Sequence, residues 1–210
     1  MLPDLPTLAL FMAATLMLNL TPGPDMLYVI ANSMGRGQKA GVVSAFGIGA
    51  GTLVHTFAAA FGLSALLMSS SLAFDVVRYG GAAYLIYLGI RAIVSKESRI
   101  PTGRLEQEGL GKIFRQGMAT NVLNPKVALF FLAFLPQFVD PARGSVVLQF
   151  VLLGTLFNTS GTTVNSLVAL ASGYAGERLG KSPGFARTQR WFTGSVFVAL
   201  GARIALAGPR

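Results

Sequence analysis

Six apolar stretches, each long enough to cross a lipid bilayer as a helix, constrain this chain more than any other feature. They lie near residues 7–31, 42–68, 76–95, 118–138, 145–172 and 191–208. A helix needs about 20 such residues to traverse a hydrocarbon core of ~30 Å. Composition agrees: 52% of the 210 residues are hydrophobic and 12% charged, against about 25% charged in a soluble domain. The alternation of a membrane β-barrel is missing, and a lipid-exposed backbone must satisfy its own hydrogen bonds. The expected fold class is therefore an all-α polytopic membrane protein with six transmembrane helices, occupying residues 1–210 as a single transmembrane domain. The apolar N-terminus opens with Asp4 and lacks the basic start of a signal peptide, so it reads as the first retained span.

The formal net charge of +9 does not point to nucleic acid, because the Lys and Arg residues are spread through the loops with no stripe of interleaved aromatics. With no cysteine and His55 as the single histidine, neither a thiolate centre nor a multi-histidine metal or haem site can be built, so no metal and no cofactor is expected.

Basic residues accumulate on cytoplasmic loops. Arg36 and Lys39, then Arg91, Lys96, Arg99, Arg104, Lys112 and Arg115, then Arg178, Lys181, Arg187 and Arg190 fall on one side, against Arg78, Arg143, Arg203 and Arg210 on the other. Both termini are thus expected outside. The one long polar connection, 96–116, separates half-repeats of approximately 1–95 and 117–210, with three spans in each. An odd number of spans per half makes any repeat an inverted one. Arg78, Leu88, Gly89 and Arg91 match Arg190, Leu200, Gly201 and Arg203 at a shift of 112, and Pro24-Asp25 matches Pro125-Lys126. An inverted 3+3 repeat with broken helices 1 and 4 is the expected architecture.

The chemistry concentrates at those two breaks. Asn19-Leu20-Thr21-Pro22-Gly23-Pro24-Asp25 puts two prolines, which lack the N–H that a continuous helix uses, inside the first apolar run. Asn124-Pro125-Lys126 does the same in the fourth, with Asn suited to the N-cap and Pro to the first helical position. Paired breaks at membrane depth are the sequence mark of a transporter site, although proline kinks alone also occur in membrane helices. Asp25 and Lys126 are the deepest ionisable residues, ~12–13 Å from the basic side at 1.5 Å per residue, and each costs at least ~2.5 kcal/mol unless paired or hydrated. Asp25 suits the positive end of the following half-helix, whereas Lys126 meets that end with the wrong sign and needs an anion, either Asp25 or a ligand carboxylate. A zwitterion supplies both partners. The fifth run carries Asn158, Thr162 and Asn165 on one face, which either line a path or act as interhelical glue. Gly47, Gly51 and His55 share a face of the second run. The glycines there suit close packing, and His55 is either a proton carrier or a packing residue.

These residues resemble the LysE/RhtB family of bacterial amino acid exporters over nearly the whole chain. Thr21-Pro22-Gly23-Pro24-Asp25, Gly41 through His55, Gly81-Ala82-Ala83-Tyr84-Leu85 with Tyr87-Leu88-Gly89, and Gly117 through Phe138 carry the likeness. The Pro-Asp and Pro-Lys forms look like its homoserine/threonine branch more than its lysine branch. The resemblance implies a multi-pass inner-membrane exporter of neutral amino acids or analogues, homoserine-, threonine- or leucine-like, driven by proton antiport. Its partners would be the amino acid substrate, protons and the lipid bilayer, and glycine-rich faces would allow a homo-dimer. The expected substrate-binding set is Thr21, Pro22, Gly23, Pro24, Asp25, Asn121, Asn124, Pro125, Lys126 and Asn158, with Asp25 and His55 as proton-coupling candidates.

Two other classes compete. An exporter of another small solute or a cation would use the same scaffold, but a fixed Lys repels the cation that a fixed Asp attracts. An intramembrane enzyme would have Ser44, Ser64, Ser160 or Ser166 available beside His55, but neither a G-x-S-x-G elbow nor an H-E-x-x-H helix accompanies them. The reading is therefore not an enzyme.

Overall fold

A computed structural model describes residues 3–65, 71–94 and 106–175 and, towards the C-terminus, residues 191, 194–195, 198–199, 201–202 and 205–206. Among these, regular structure is entirely helical. The first run forms α1 (Leu5–Leu20) and α2 (Pro24–Arg36), which meet at 49°. α3 (Gln38–Ala58) is prolonged by a π-helical turn, Ala59–Leu63. α4 (Ser71–Val94) follows, then α5 (Leu110–Val122) and α6 (Pro125–Leu129). α6 continues through a π turn, Phe130–Phe134, and a 3₁₀ turn, Leu135–Phe138, and this second pair meets at 47°. α7 (Val146–Ala175) closes the well-described part.

Among the described residues, Gln38–Leu63 and Val146–Tyr174 are long and apolar enough to cross a membrane, and counting each bent pair as one span makes four candidates. The third expected run coincides with α4. The sixth lies partly outside the described residues, and its described positions are helical. The fourth span begins at Leu110, earlier than its apolar stretch predicts. Its first turns are amphipathic: Ile113 is buried, while Lys112 and Arg115 are exposed.

The breaks arise as the prolines dictate. Thr21 caps the end of α1, with its N–H returning to Met17 and Leu18 carbonyls, and Pro24 starts α2 at a position where no N–H is required. Asn124 caps α6, its side-chain oxygen accepting the N–H of Lys126, with Pro125 as the first helical residue.

An aromatic core binds the two broken spans to α7. Phe130 stacks on Phe157 at 4.6 Å, and Phe11 meets Phe138 edge-on at 5.2 Å. Outward-facing positions are apolar instead of polar: Leu10, Leu16, Phe46, Phe57, Phe61 and Leu167 are all exposed. In water such a surface would aggregate; in a bilayer it is the solvated face.

Candidate functional site

Glycine allows α3 and α5 to approach until their backbones nearly touch, and that contact frames the site. A Cβ on Gly51 would lie 2.7 Å from the carbonyl oxygen of Met118 and 2.8 Å from Cβ of Asn121, and one on Gly117 would lie 2.9 Å from the Ser44 carbonyl. Close approach seats Asn121, fully buried on α5, against Thr52 and His55 of α3.

Asn121 then organises the carboxylate. Its Nδ2 donates to Asp25 Oδ2 at 2.8 Å, and its Oδ1 accepts from Thr52 at 3.3 Å. Its backbone carbonyl faces His55 Nε2 at 3.1 Å. A carbonyl only accepts, so this contact assigns the proton to Nε2. His55 also stacks on Phe131, at 5.8 Å between ring centres. The other oxygen, Asp25 Oδ1, is buried and has no hydrogen-bond partner among the described residues. A buried acceptor in that condition costs about 1–3 kcal/mol.

Lys126 resolves its electrostatic conflict in a way that residue spacing does not reveal. Its ammonium crosses from the start of α6 to the end of α1, donating to the carbonyl oxygens of Thr21 at 2.8 Å and Leu18 at 3.2 Å. Both carbonyls lie at the negative end of a half-helix, where a cation is favoured. Among the described residues its hydrogen bonds therefore go to backbone carbonyls and not to the Asp25 carboxylate. Gly23 leaves room for the crossing: a Cβ there would sit 3.2 Å from Nζ and 3.4 Å from Cε, a tight contact. An ammonium has three donors, and these bonds use two of them.

Asp25 and Lys126 border one cavity of about 20 Å³ together with Asn19, Thr52, Asn121, Asn165, Gly161 and Thr162, and with the apolar Met26, Ile48, Val127 and Phe157. That is space on the scale of one water. Asp25 is 6% exposed and Lys126 8%, so bulk solvent reaches neither freely. A second unpartnered buried group, Asn124 Nδ2, lies at the other break.

The structure therefore brings Asp25, Asn121 and Lys126 to one cavity, with Thr21 and Gly23 touching the lysine and Pro22, Pro24 and Pro125 setting the breaks. Asn158 is elsewhere. It lies in an open lateral groove of about 700 Å³ with Gly49, Leu53, Phe114 and Ser166, where it accepts the hydroxyl of Thr162 at 3.3 Å. Thr52 and Asn19 escape a reading by motif. Thr52 sits beside the Gly47–Gly51–His55 face and bonds the Ile48 carbonyl as any helical threonine can, while Asn19 precedes the break and donates to Ser160 at 2.9 Å.

Comparison with known proteins yields one family and a set of close relatives. The family described as LysE type translocator matches residues 16–208. The leucine efflux proteins of Salmonella typhimurium and Salmonella typhi are each 30% identical over 198 residues, covering 93% of this chain and 92% of theirs. The leucine efflux protein of an Enterobacter species is 28% identical over 189 residues, 89% of each chain. No solved structure matches the chain.

Proposed function

Because the chain belongs to the LysE type translocator family, we propose that it exports a neutral, aliphatic amino acid of the leucine kind by alternating access, in exchange for protons. The observation that carries this reading is a buried Asp25 with one unpartnered carboxylate oxygen, in the same cavity as Lys126 and between two helix breaks. One acid and one base complement a zwitterion: the substrate ammonium goes to Asp25 Oδ1, and its carboxylate takes the third donor of Lys126 and the free amide of Asn124. Asn121 positions Asp25, and Thr21 holds Lys126 through its carbonyl. Pro22, Gly23, Pro24 and Pro125 keep the half-helix ends open, and Met26, Ile48, Val127 and Phe157 give the substrate side chain an apolar wall. Relatives named for leucine efflux support that choice over homoserine or threonine. Asp25 releases its proton on one side and gains it on the other, and His55, which meets the Asn121 carbonyl and not the carboxylate, is the second proton-coupling candidate.

The same reading places the chain in the inner membrane of a bacterium, with the end bearing Arg36, Lys39, Lys112 and Arg115 in the cytoplasm and both termini outside. It treats residues 1–95 and 117–210 as inverted halves. Bends of 49° and 47° in the two broken spans support this. So does an exchange of contacts at a shift of 112 residues: a Cβ on Gly89 would lie 2.7 Å from the Gly194 carbonyl, and one on Gly201 would lie 2.7 Å from the Ala82 carbonyl. Position 82 maps to 194 and 89 to 201, so the two contacts swap as a two-fold axis requires.

The test is export of labelled leucine from preloaded cells expressing Asp25→Asn or Lys126→Met. Both are expected to abolish export at wild-type levels of folded protein in the membrane; normal export by either would contradict the reading.

A further inference from the structure

Two ion pairs close the broken spans at opposite ends. At the end of α2, Arg36 reaches Glu108, just ahead of α5, at 3.2 Å, and Lys112 holds the other carboxylate oxygen at 2.6 Å. Arg36 also donates to the Glu106 carbonyl at 2.7 Å and to Asn32. One turn deeper again, Tyr28 donates to the Ile113 carbonyl at 2.9 Å, so the seam between α2 and α5 is sealed along one face of α2. At the start of α1, Asp4 meets Arg143, beyond the end of the fourth span, at 3.1 Å, and Asp140 takes the same guanidinium at 3.2 Å. The pattern is reciprocal: the acid that opens each broken span pairs with the arginine that closes the other.

Between the two pairs lies the cavity of Asp25 and Lys126, with room for about one water. An ion pair thus stands at each end of the two broken spans with the small cavity between, an arrangement that suits an occluded carrier. We propose that Arg36–Glu108 and Asp4–Arg143 are the two latches of alternating access, each holding one mouth of the Asp25 cavity closed; this rests on the reading of the chain as an alternating carrier. Neither pair touches the cavity, so each acts on access and not on binding.

The latches are unequal. Side chains of the Arg36 pair are 11% and 19% exposed, those of the Asp4 pair 42% and 50%. Water and salt screen the exposed pair more, so it holds its mouth less firmly than the Arg36 pair does. The Asp4 mouth therefore opens first, and raised ionic strength favours that opening.

The absence of cysteine makes the test direct. Thr52→Cys places a single thiol on the cavity, and a membrane-impermeant maleimide is applied to vesicles of either orientation. Glu108→Gln is expected to raise the labelling rate several-fold from the face bearing Arg36 and not from the other. Arg143→Gln should do so from the opposite face alone, and the exchanged pair Arg36→Glu with Glu108→Arg should return labelling toward the Thr52→Cys rate. Increases from both faces, from the same face, or from neither would overturn the proposal, as would an exchanged pair that stays as open as Glu108→Gln. No substrate is present in this assay, so side-specific labelling with failed leucine export would sink the substrate reading and leave the latches standing.

Discussion

Asp25 is half satisfied: Asn121 holds one carboxylate oxygen and nothing holds the other. Removing the amide in Asn121→Ala leaves both oxygens without a partner, and we expect leucine exchange to fall ~10-fold or more, the equivalent of about 1.4 kcal/mol. His55→Gln keeps an N–H for the Asn121 carbonyl but cannot titrate. Exchange should then run near the wild-type rate while its acceleration by an imposed proton gradient is lost; retained acceleration would remove His55 from the proton path. At the end bearing Arg36, the hydrogen bond from Lys112 holds the Glu108 carboxyl below the usual carboxylate range. A depressed folded value means that the stabilisation is fully present above the unfolded pKa and is lost as pH falls through the folded one. The thermal-stability advantage of the wild type over Glu108→Gln should thus be intact above pH ~5 and fade below pH ~4. Asp25 and Lys126 stand out in the sequence because a charge inside an apolar run is costly. The destination of the Lys126 ammonium does not, because backbone carbonyls at a helix end carry no residue signature.

The elements are decided by proline and glycine in opposite ways. Proline ends the hydrogen-bond ladder at Pro22–Pro24 and at Pro125, so both breaks are legible from residue type. Glycine acts through what it leaves out. Ala at Gly51 would bring Cβ to 2.7 Å from the Met118 carbonyl, a backbone atom that cannot turn aside. Gly51→Ala is expected to cost about 1–3 kcal/mol. Gly111→Ala, where no described residue lies within 4 Å, should be neutral or gain up to ~1 kcal/mol of helix propensity. Thermal unfolding in detergent separates the two; equal melting temperatures would refute the close α3–α5 contact. The π turns at Ala59–Leu63 and Phe130–Phe134 were not foreseeable, since an i→i+5 ladder has no residue pattern of its own. The early start of α5 is missed for a related reason: Lys112, Arg115 and Gln116 make its first turns polar, and hydropathy alone stops at the apolar boundary.

The molecule as a whole is organised by its solvent. Apolar residues cover its outside, aromatic rings knit the broken spans to α7, and its buried charges gather where both helices part. Fold class follows from run length and composition, because lipid leaves few ways to satisfy a backbone. The site is only half legible in this way: two breaks and two charges show in the sequence, whereas Thr52, Asn19 and the apolar wall reach the cavity through tertiary packing that no local pattern records. The central claim is that Asp25 and Lys126 form the binding site of an amino acid carrier, and counterflow in proteoliposomes tests it most directly. Vesicles preloaded with unlabelled leucine should accelerate uptake of labelled leucine in the wild type, with no acceleration in Asp25→Asn protein of the same fold. Equal acceleration in the mutant, or none for any amino acid with the wild type, would contradict it.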